Sequence, residues 1–500
     1  MRATESLTAE YHAAHPGLYS SLLGRTGLRV SGAGSGGYRM SVGVEAHHMG
    51  LRRALTEGIN LIDTSANYAD GGSEELIGET IDELERAGSI SRGQIVVVSK
   101  GGYIQGSNYT MARERAGAGS GFPDVVEYSP GLWHSIAPEF LEDQISRSLA
   151  RLKLSTIDLY LLHNPEYYLN WAVKSGIGIE AARKEYYRRI HDAFAYLETE
   201  VERGRIAWYG ISSNSFPHSA DVADFTSLEE CVGIAERISL VHHFAAIQFP
   251  ANLAERGFAV EKNQSGDRTL IGLAREKHLG VLINRPLNAI IGSELMRLAD
   301  FPLASMPLGE THIADGIEKL TVMETEFAGT TLAHFAADSE GTRALREFIS
   351  VGATMREHWE TFGSIEHFND ILSQHFAPRL GFAAQYFREH GTPEHLGWYN
   401  GYVAAARALF QAIAVHYSRD AQKRSTQIKQ SITAALGVAA EGTLSSLAIR
   451  MLLGVDGVDC VLVGMRREEY VDDVLHALRL GPIGDEGAWG RLHLEQEAGG

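Results

Sequence analysis

From Leu28 to about Asn288 the chain alternates between two hydrophobic periods. Short β-branched and aliphatic runs, including INLID, QIVVVSK, IDLYLLH, RIAWYGISS, FAAIQFP and GVLIN, each give way to stretches with apolar residues every three or four positions. With a run before Gly34 and a last one, DCVLVG, ending at Gly464, there are eight. Near-continuous apolar strands are buried on both faces, and strands alternating with helices form parallel βαβ units, so the pattern predicts an α/β fold, a closed TIM (β/α)8 barrel. The intervening stretches are amphipathic. In FLEDQISRSLARL, for instance, Phe140, Leu141, Ile145, Leu149 and Leu152 fall along one side.

Three connections exceed what a plain barrel needs. Gly101 to Pro138 and Pro165 to Tyr186 are rich in aromatics and follow strand ends, which places them on the rim where such barrels carry their sites. The largest excess lies between Asn288 and Ala435 and reads as helices broken by Gly and Pro, before the helical TLSSLAIRMLLG. The expected organisation is therefore an N-terminal lead over 1–27, a barrel over 28–288 and 436–485, and a helical insertion over 289–435. The insertion leaves the chain after the seventh strand and contains Phe335, Phe348, Trp359, Phe362, Phe368, Phe376, Phe382, Tyr386, Phe387, Trp398, Tyr399 and Tyr402. That is more than an isolated helical hairpin can bury, so docking over the catalytic rim is expected, with a separately folded partner-binding module as the alternative.

Composition narrows the function. A formal net charge of -18 repels phosphate, which argues against nucleic acid or an anionic membrane as partner. No stretch reaches the ~18 apolar residues of a membrane span, and the first 20 residues lack a signal-peptide pattern, so a cytoplasmic protein is expected. Two cysteines, Cys231 and Cys460, form no CxxC and imply neither a disulfide framework nor a zinc site. The adjacent pairs His47–His48 and His242–His243 lack the i, i+4 spacing of a helical metal pair, so no metal is expected. Gly32, Gly34 and Gly37 have GxGxxG spacing, with Asp63 at the next strand end, imitating a dinucleotide-binding Rossmann unit. Such a unit opens a helix at once, whereas Tyr38, Arg39 and Met40 intervene here.

Candidate chemistry centres on INLIDTSANYADGGSEELIG, residues 59–78. Asp63 ends an apolar run, Tyr68 lies in a polar turn, and a helix begins near Ser73 with Glu74 and Glu75 in its first turn. Lys100 and His163 end the two runs that follow, so the four side chains converge on one barrel mouth. Carbonyl reduction by hydride needs such a set. A phenol of pKa about 10 is a reluctant acid. A neighbouring ammonium stabilises its phenolate, a carboxylate holds the ammonium, and an imidazole orients the carbonyl oxygen.

With these residues in place, the sequence resembles the aldo-keto reductase superfamily. GINLIDTSANYADGGSEELIGE, VVVSKGGY and IDLYLLHNPE resemble its strands bearing the carboxylate and tyrosine, the lysine and the histidine. RGRIAWYGISSNSF, IQFPANLAER, VLINRPL and VLVGMRREEYVDDVL resemble four cofactor segments in order. The resemblance implies Tyr68 as general acid/base with Asp63, Lys100 and His163 completing a tetrad. It also implies NADP(H)-dependent interconversion of a carbonyl (aldehyde, ketone or sugar) and an alcohol. Ser212, Ser213 and Gln248 become partners of the nicotinamide carboxamide. Gly37, Tyr38, Asp63, Asn284, Arg285, Leu287, Gly464, Met465, Arg466, Tyr470 and Asp473 become further cofactor contacts. Three positions depart from the family. The Ser-Asn pair is here Ser212-Ser213-Asn214, Asn284 stands where an aromatic stacks on the nicotinamide, and Val474 replaces an asparagine on the adenine side. Arg466 and Arg467 at a helix start favour a phosphate, hence NADP(H) over NAD(H). Tyr103, Trp133, Tyr168 and Trp171 on the rim could line a substrate pocket or pack together. The alternative function is a cofactor-sensing regulatory barrel, as the related potassium-channel β-subunits imply, whose insertion binds a protein partner.

Overall fold

The eight apolar runs form the eight strands of a closed barrel in a computed structural model that describes residues 2–291, 294–335, 340–484, 486–492 and 494. We label them β1 (Ala33–Gly36), β2 (Leu61–Asp63), β3 (Val96–Gly101), β4 (Ile157–His163), β5 (Ile206–Ser212), β6 (Phe244–Pro250), β7 (Gly280–Asn284) and β8 (Cys460–Val463). Each pairs in parallel with the next, and β8 closes on β1. A closed barrel rules out the open sheet of a Rossmann unit. The glycines that imitate its fingerprint serve packing instead: a Cβ at Gly34 would stand 2.7 Å from Leu61 and 3.0 Å from Leu462 inside the barrel.

The barrel interior is a filled apolar core, in which Leu61, Val96, Val98, Leu159, Leu161, Ala246, Leu282, Cys460 and Leu462 pack together. The N-terminal lead joins that core. Its helix Glu5–Ala14 is capped by the Thr4 hydroxyl, which accepts from Leu7 N–H, and Ser20–Leu22 pairs antiparallel with Arg29–Ser31. Ala3, Leu23, Leu28 and Val30 enter the interior cluster. Ala3 N–H donates to the buried Asp158 carboxylate at 2.7 Å, which also accepts from Val97 N–H and Arg92 at the N-terminal ends of the strands. This end of the barrel is thereby closed, and the other is left for chemistry.

Both long rim loops are structured. After β3 come Tyr103–Ile104, Val126–Ser129 and Leu132–His134, three short strands in one antiparallel sheet, with the helix Gly106–Gly117 between the first and second. After β4 come the helices Tyr167–Lys174 and Ile179–Glu202. The segment expected to be helical from residue 289 opens instead as a hairpin, Asn288–Ile291 paired with Glu294–Arg297.

The chain divides into two units, Met1–Leu298 with Ser431–Gly500, and Ala299–Gln430. The second unit contains the helices Glu310–Gly329, Glu340–Phe348, Val351–His358, Ile365–Ile371 and Ala377–His390, and most of Pro393–Leu436. Its aromatics bury one another. Phe327, Phe335, Phe362, Phe368, Phe376, Phe387, Tyr399 and Tyr402 form one cluster with Ile313, Leu320, Leu345 and Leu409, and Trp359, Tyr386 and Trp398 pack against it. The buried Glu324 carboxylate accepts from the N–H groups of Gly352 and Ala353, at 2.6 and 3.1 Å, and from Tyr402 Oη at 2.8 Å. Where a hairpin could not bury so many aromatics, six helices of this unit enclose them.

Candidate active site

β2, β3 and β4 are neighbours in the barrel, with Asp63 paired to Val98 and Lys100 to Leu161. Lys100 is fully buried, and its Nζ donates to Asp63 Oδ2 at 2.7 Å and to Thr64 O at 2.8 Å, with Tyr68 Oη at 3.5 Å. Burial disfavours charge on Lys100, but Asp63 and then Tyr68 outweigh it and hold the ammonium above its ordinary value. Burial also raises the Tyr68 phenol; Lys100 pulls it down without cancelling the rise. His163 is driven well below the ordinary imidazole value by burial first, then by Lys100 and His134, and is neutral. Its ring centroid is 5.9 Å from that of Tyr68.

The arrangement is therefore a protonated phenol, a fixed ammonium beside it and a neutral imidazole, all facing one mouth. Such a set can donate a proton to a developing alkoxide and stabilise the phenolate that remains.

Gln248 connects this cluster to the next strands. Its Nε2 donates to Asp63 Oδ1 at 2.7 Å, while its Oε1 accepts from Ser212 Oγ at 2.9 Å and Asn284 Nδ2 at 3.4 Å. Ser212 shares its register with His163 and Gln248, so it points into the mouth. Ser213 turns away to Ser215, at 3.1 Å, and Thr226, at 3.4 Å. Asn284 Oδ1 and Arg285 Nε are buried with no hydrogen-bond partner among the described residues. Arg285 pairs with Glu255 at 3.3 Å, and Leu287 O accepts from Leu298 N–H. Gly37 N–H donates to Asp63 O at 2.7 Å, and the exposed Tyr38 ring lies 5.4 Å from Tyr68.

Beyond β8, Gly464 has open space at its Cα and Met465 is buried. The helix Glu45–Thr56 comes close here because Gly50 lacks a side chain; a Cβ would stand 2.6 Å from Met465 O. Arg466 is held below the ordinary guanidinium value by burial and then by Arg297, Arg39 and Arg467, with Tyr470 opposing. Among the described residues none of these four arginines makes an ion pair. Asp473 is committed elsewhere, accepting from Thr443 Oγ1 at 2.6 Å and from Ser445 Oγ at 2.5 Å.

Sequence reasoning named Tyr103 as a rim aromatic but missed its neighbours Asn164, His134 and Tyr167. Tyr103 stands with its ring 4.6 Å from His163, and Asn164 Nδ2 donates to its hydroxyl at 2.7 Å. His134 Nε2 holds the His163 carbonyl at 2.8 Å, and Tyr167 packs on both Tyr103 and His134. Of the other rim aromatics, Trp133 packs on Tyr109, and Tyr168 on Trp171. Arg39 and Arg297 carried no sequence signal, since only the fold brings them to Arg466. The histidine pairs are engaged singly, His48 with Glu83, His242 with Arg25 and His243 with Glu198.

Residues 34–235 match the family model described as aldo/keto reductase family. The chain is 30% identical over 109 residues to the NADH-specific methylglyoxal reductase of Escherichia coli, covering 21% of this chain and 27% of that protein. It is 28% identical over 148 residues to a putative voltage-gated potassium channel subunit beta of Schizosaccharomyces pombe, covering 29% and 36%. It is 30% identical over 193 residues to the uncharacterized oxidoreductase YqkF of Bacillus subtilis, covering 38% and 47%. The chain thus spans less than half the length of each of these relatives. Among solved structures, a holo-form aldo-keto reductase of Bacillus halodurans aligns over 96% of this chain and 99% of its own, at 15% identity and a TM-score of 0.45.

Proposed function

We infer that this chain, which belongs to the aldo-keto reductase family, is an NADP(H)-dependent oxidoreductase interconverting a small-molecule carbonyl and an alcohol, with Tyr68 as general acid and base. The contact of Lys100 with both Asp63 and Tyr68, beside a neutral His163, is the observation that carries this reading.

The residues around the mouth suit a nicotinamide dinucleotide phosphate. Ser212, Gln248 and Asn284, with its unpartnered Oδ1, offer both donors and acceptors to a carboxamide. Gly464, Met465 and Arg466 would hold the adenine-side phosphate, with Arg39, Arg297 and Arg467 adding positive charge that has no ion-pair partner among the described residues. When bound, the nucleotide supplies or accepts the hydride. The chain supplies the proton. In the reducing direction Tyr68 Oη–H gives it to the alkoxide oxygen, and the phenolate left behind lies beside the Lys100 ammonium. Asp63 keeps Lys100 aimed and charged, and Gln248 ties Asp63 to the carboxamide side, so cofactor seating and proton delivery share one network. In the oxidising direction the same phenolate takes the proton back.

The E. coli relative is named as NADH-specific, which stands against the cofactor preference, and the arginines without an ion-pair partner among the described residues stand for it. The likeness to the fission-yeast channel subunit, with a helical unit that has a core of its own, favours a second reading as a cofactor-sensing barrel. A panel of aldehydes, ketones and sugars with NADPH separates the two. Tyr68→Phe should lower kcat by roughly 10²–10⁴-fold while NADPH affinity stays within a few-fold. Near-normal turnover in that variant would sink the assignment, and NADPH binding without turnover of any carbonyl would leave the sensor.

A further inference from the structure

Asp63, Lys100 and His163 lie on barrel strands, whereas Tyr68 lies on a turn, and that turn has an unfavourable backbone. Ala69 and Asp70 have φ of 50° and 53°, in the left-handed region where a side chain crowds the following carbonyl oxygen. Both residues are exposed, so packing around their side chains does not impose the conformation. Hydrogen bonds from the turn must hold it.

Side-chain bonds on both sides of Tyr68 reach one place, the start of the rim helix Gly106–Gly117. Asn67 Nδ2 donates to Gln105 Oε1 at 3.0 Å, and Asn67 Oδ1 accepts from Ser65 Oγ at 2.7 Å. The Asp70 carboxylate accepts from Ser107 N–H at 3.0 and 3.2 Å and from Ser107 Oγ at 2.9 Å. The helix's own sequence leaves its start bare: Gln105 at the N-cap makes no capping bond, and the first turn has no acidic residue. Asp70 supplies both the cap and the negative charge from 37 positions away. Gly106 makes room for it, because a Cβ there would stand 2.5 Å from Asp70 Oδ1. The helix is itself anchored. Asn108, 4% exposed, donates to Gln144 on the helix Pro138–Leu152 at 3.0 Å, and Ala112 is buried with Ile104, Phe122 and Phe140.

We propose that this helix braces the turn, with Asn67 and Asp70 as positioning residues that keep the Tyr68 phenol within reach of Lys100. This rests on Tyr68 as the proton donor assigned above. Tyr68 Oη stands 3.5 Å from Lys100 Nζ, already long for a hydrogen bond, so a small rotation of the turn removes the contact that stabilises the phenolate. The contact of Lys100 with Asp63 joins two strands and does not depend on the turn. Loss of the brace therefore acts on the proton donor alone.

The test is the fluorine-19 spectrum of the full-length protein labelled with 3-fluorotyrosine, with the Tyr68 signal identified among 19 tyrosines by its loss in Tyr68→Phe. Asp70→Ala should shift or broaden that signal. Asp70→Asn, which keeps an acceptor for Ser107 N–H, should leave it near the wild-type position. With a carbonyl substrate, Asp70→Ala should lower kcat by about tenfold with NADPH affinity unchanged, and Asp70→Asn should recover most of the loss, because a misplaced donor slows the chemical step and not cofactor binding. If Asp70→Ala speeds amide exchange in the first turn of the rim helix but moves neither the Tyr68 signal nor kcat, Asp70 is only a helix cap and the brace is overturned. A Tyr68 signal that moves with kcat unchanged would overturn it too. A moved signal in a protein whose wild type turns over no carbonyl supports the brace and sinks the reductase reading.

Discussion

Glu166 lies three residues beyond His163 and is 3% exposed, with Oε1 accepting from Asn214 N–H at 2.8 Å and Oε2 without a hydrogen-bond partner among the described residues. Burial raises its carboxyl to about 7; the N–H groups of Glu166 and Asn214 and the Ser213 hydroxyl pull the other way, and Asp224 adds to the rise. The groups facing it are Tyr103, Tyr186, Asp224 and His218. In the unfolded chain the carboxyl titrates at 4.5. Between those values the native state holds a proton that the unfolded state has released, so stability falls as pH rises from 4.5 and is lowest above 7. At about 1.4 kcal/mol per pH unit, the full penalty is roughly 3 kcal/mol. Glu166→Gln keeps the shape and an acceptor for Asn214 but cannot ionise. Its stability should match wild type near pH 4.5 and exceed it by about 2–4 kcal/mol at pH 8, the difference opening between those limits. Urea midpoints of the two proteins, measured at intervals from pH 5 to 8 with a shared slope, give this difference and cancel the other titrating groups. A gap that stays flat with pH would refute the reasoning, since it would mean that the native carboxylate finds a partner strong enough to pay for its burial.

Lys100→Met should lower kcat by at least 10²-fold and raise the pH at which the oxidising direction gains rate, because the phenolate loses its charge partner; an unchanged pH–rate profile would make Lys100 structural. Arg466→Ala should weaken NADPH by about 10–100-fold and NADH little, since a charge-assisted hydrogen bond to phosphate is worth roughly 1.5–3 kcal/mol and NADH has no 2′-phosphate. Equal loss for both cofactors in a binding titration would shift that role to Arg297, Arg39 or Arg467. Residues 299–430 expressed alone should give a helical circular-dichroism spectrum and a cooperative melt, because their buried aromatics pack on one another. A broad, non-cooperative transition would show that this core is insufficient.

The barrel was legible because parallel strands buried on both faces leave an apolar run that no other element imitates at that spacing, and all eight runs became strands. The strands of Tyr103–Ile104, Val126–Ser129 and Leu132–His134 were not legible, since two to four residues cannot establish a period. The lead over 1–27 read as polar because its contribution to the interior is single residues, Ala3 and Leu23, placed there by a backbone bond to Asp158 and a hairpin. The tetrad could be read from strand ends alone, whereas the groups that set its protonation could not. Thr64 and Gln248 touch it through bonds between residues up to 185 positions apart, and Arg39 and Arg297 reach Arg466 only once β8 has paired with β1 and with β7. Local sequence therefore carries the placement of a candidate group, because a strand end fixes where it points. Its ionisation depends on burial and distant partners, which exist only in the folded chain. Ser65 lies between these cases: it is two residues from Asp63, but its 2.9 Å contact with His163 Nδ1 spans 98 positions.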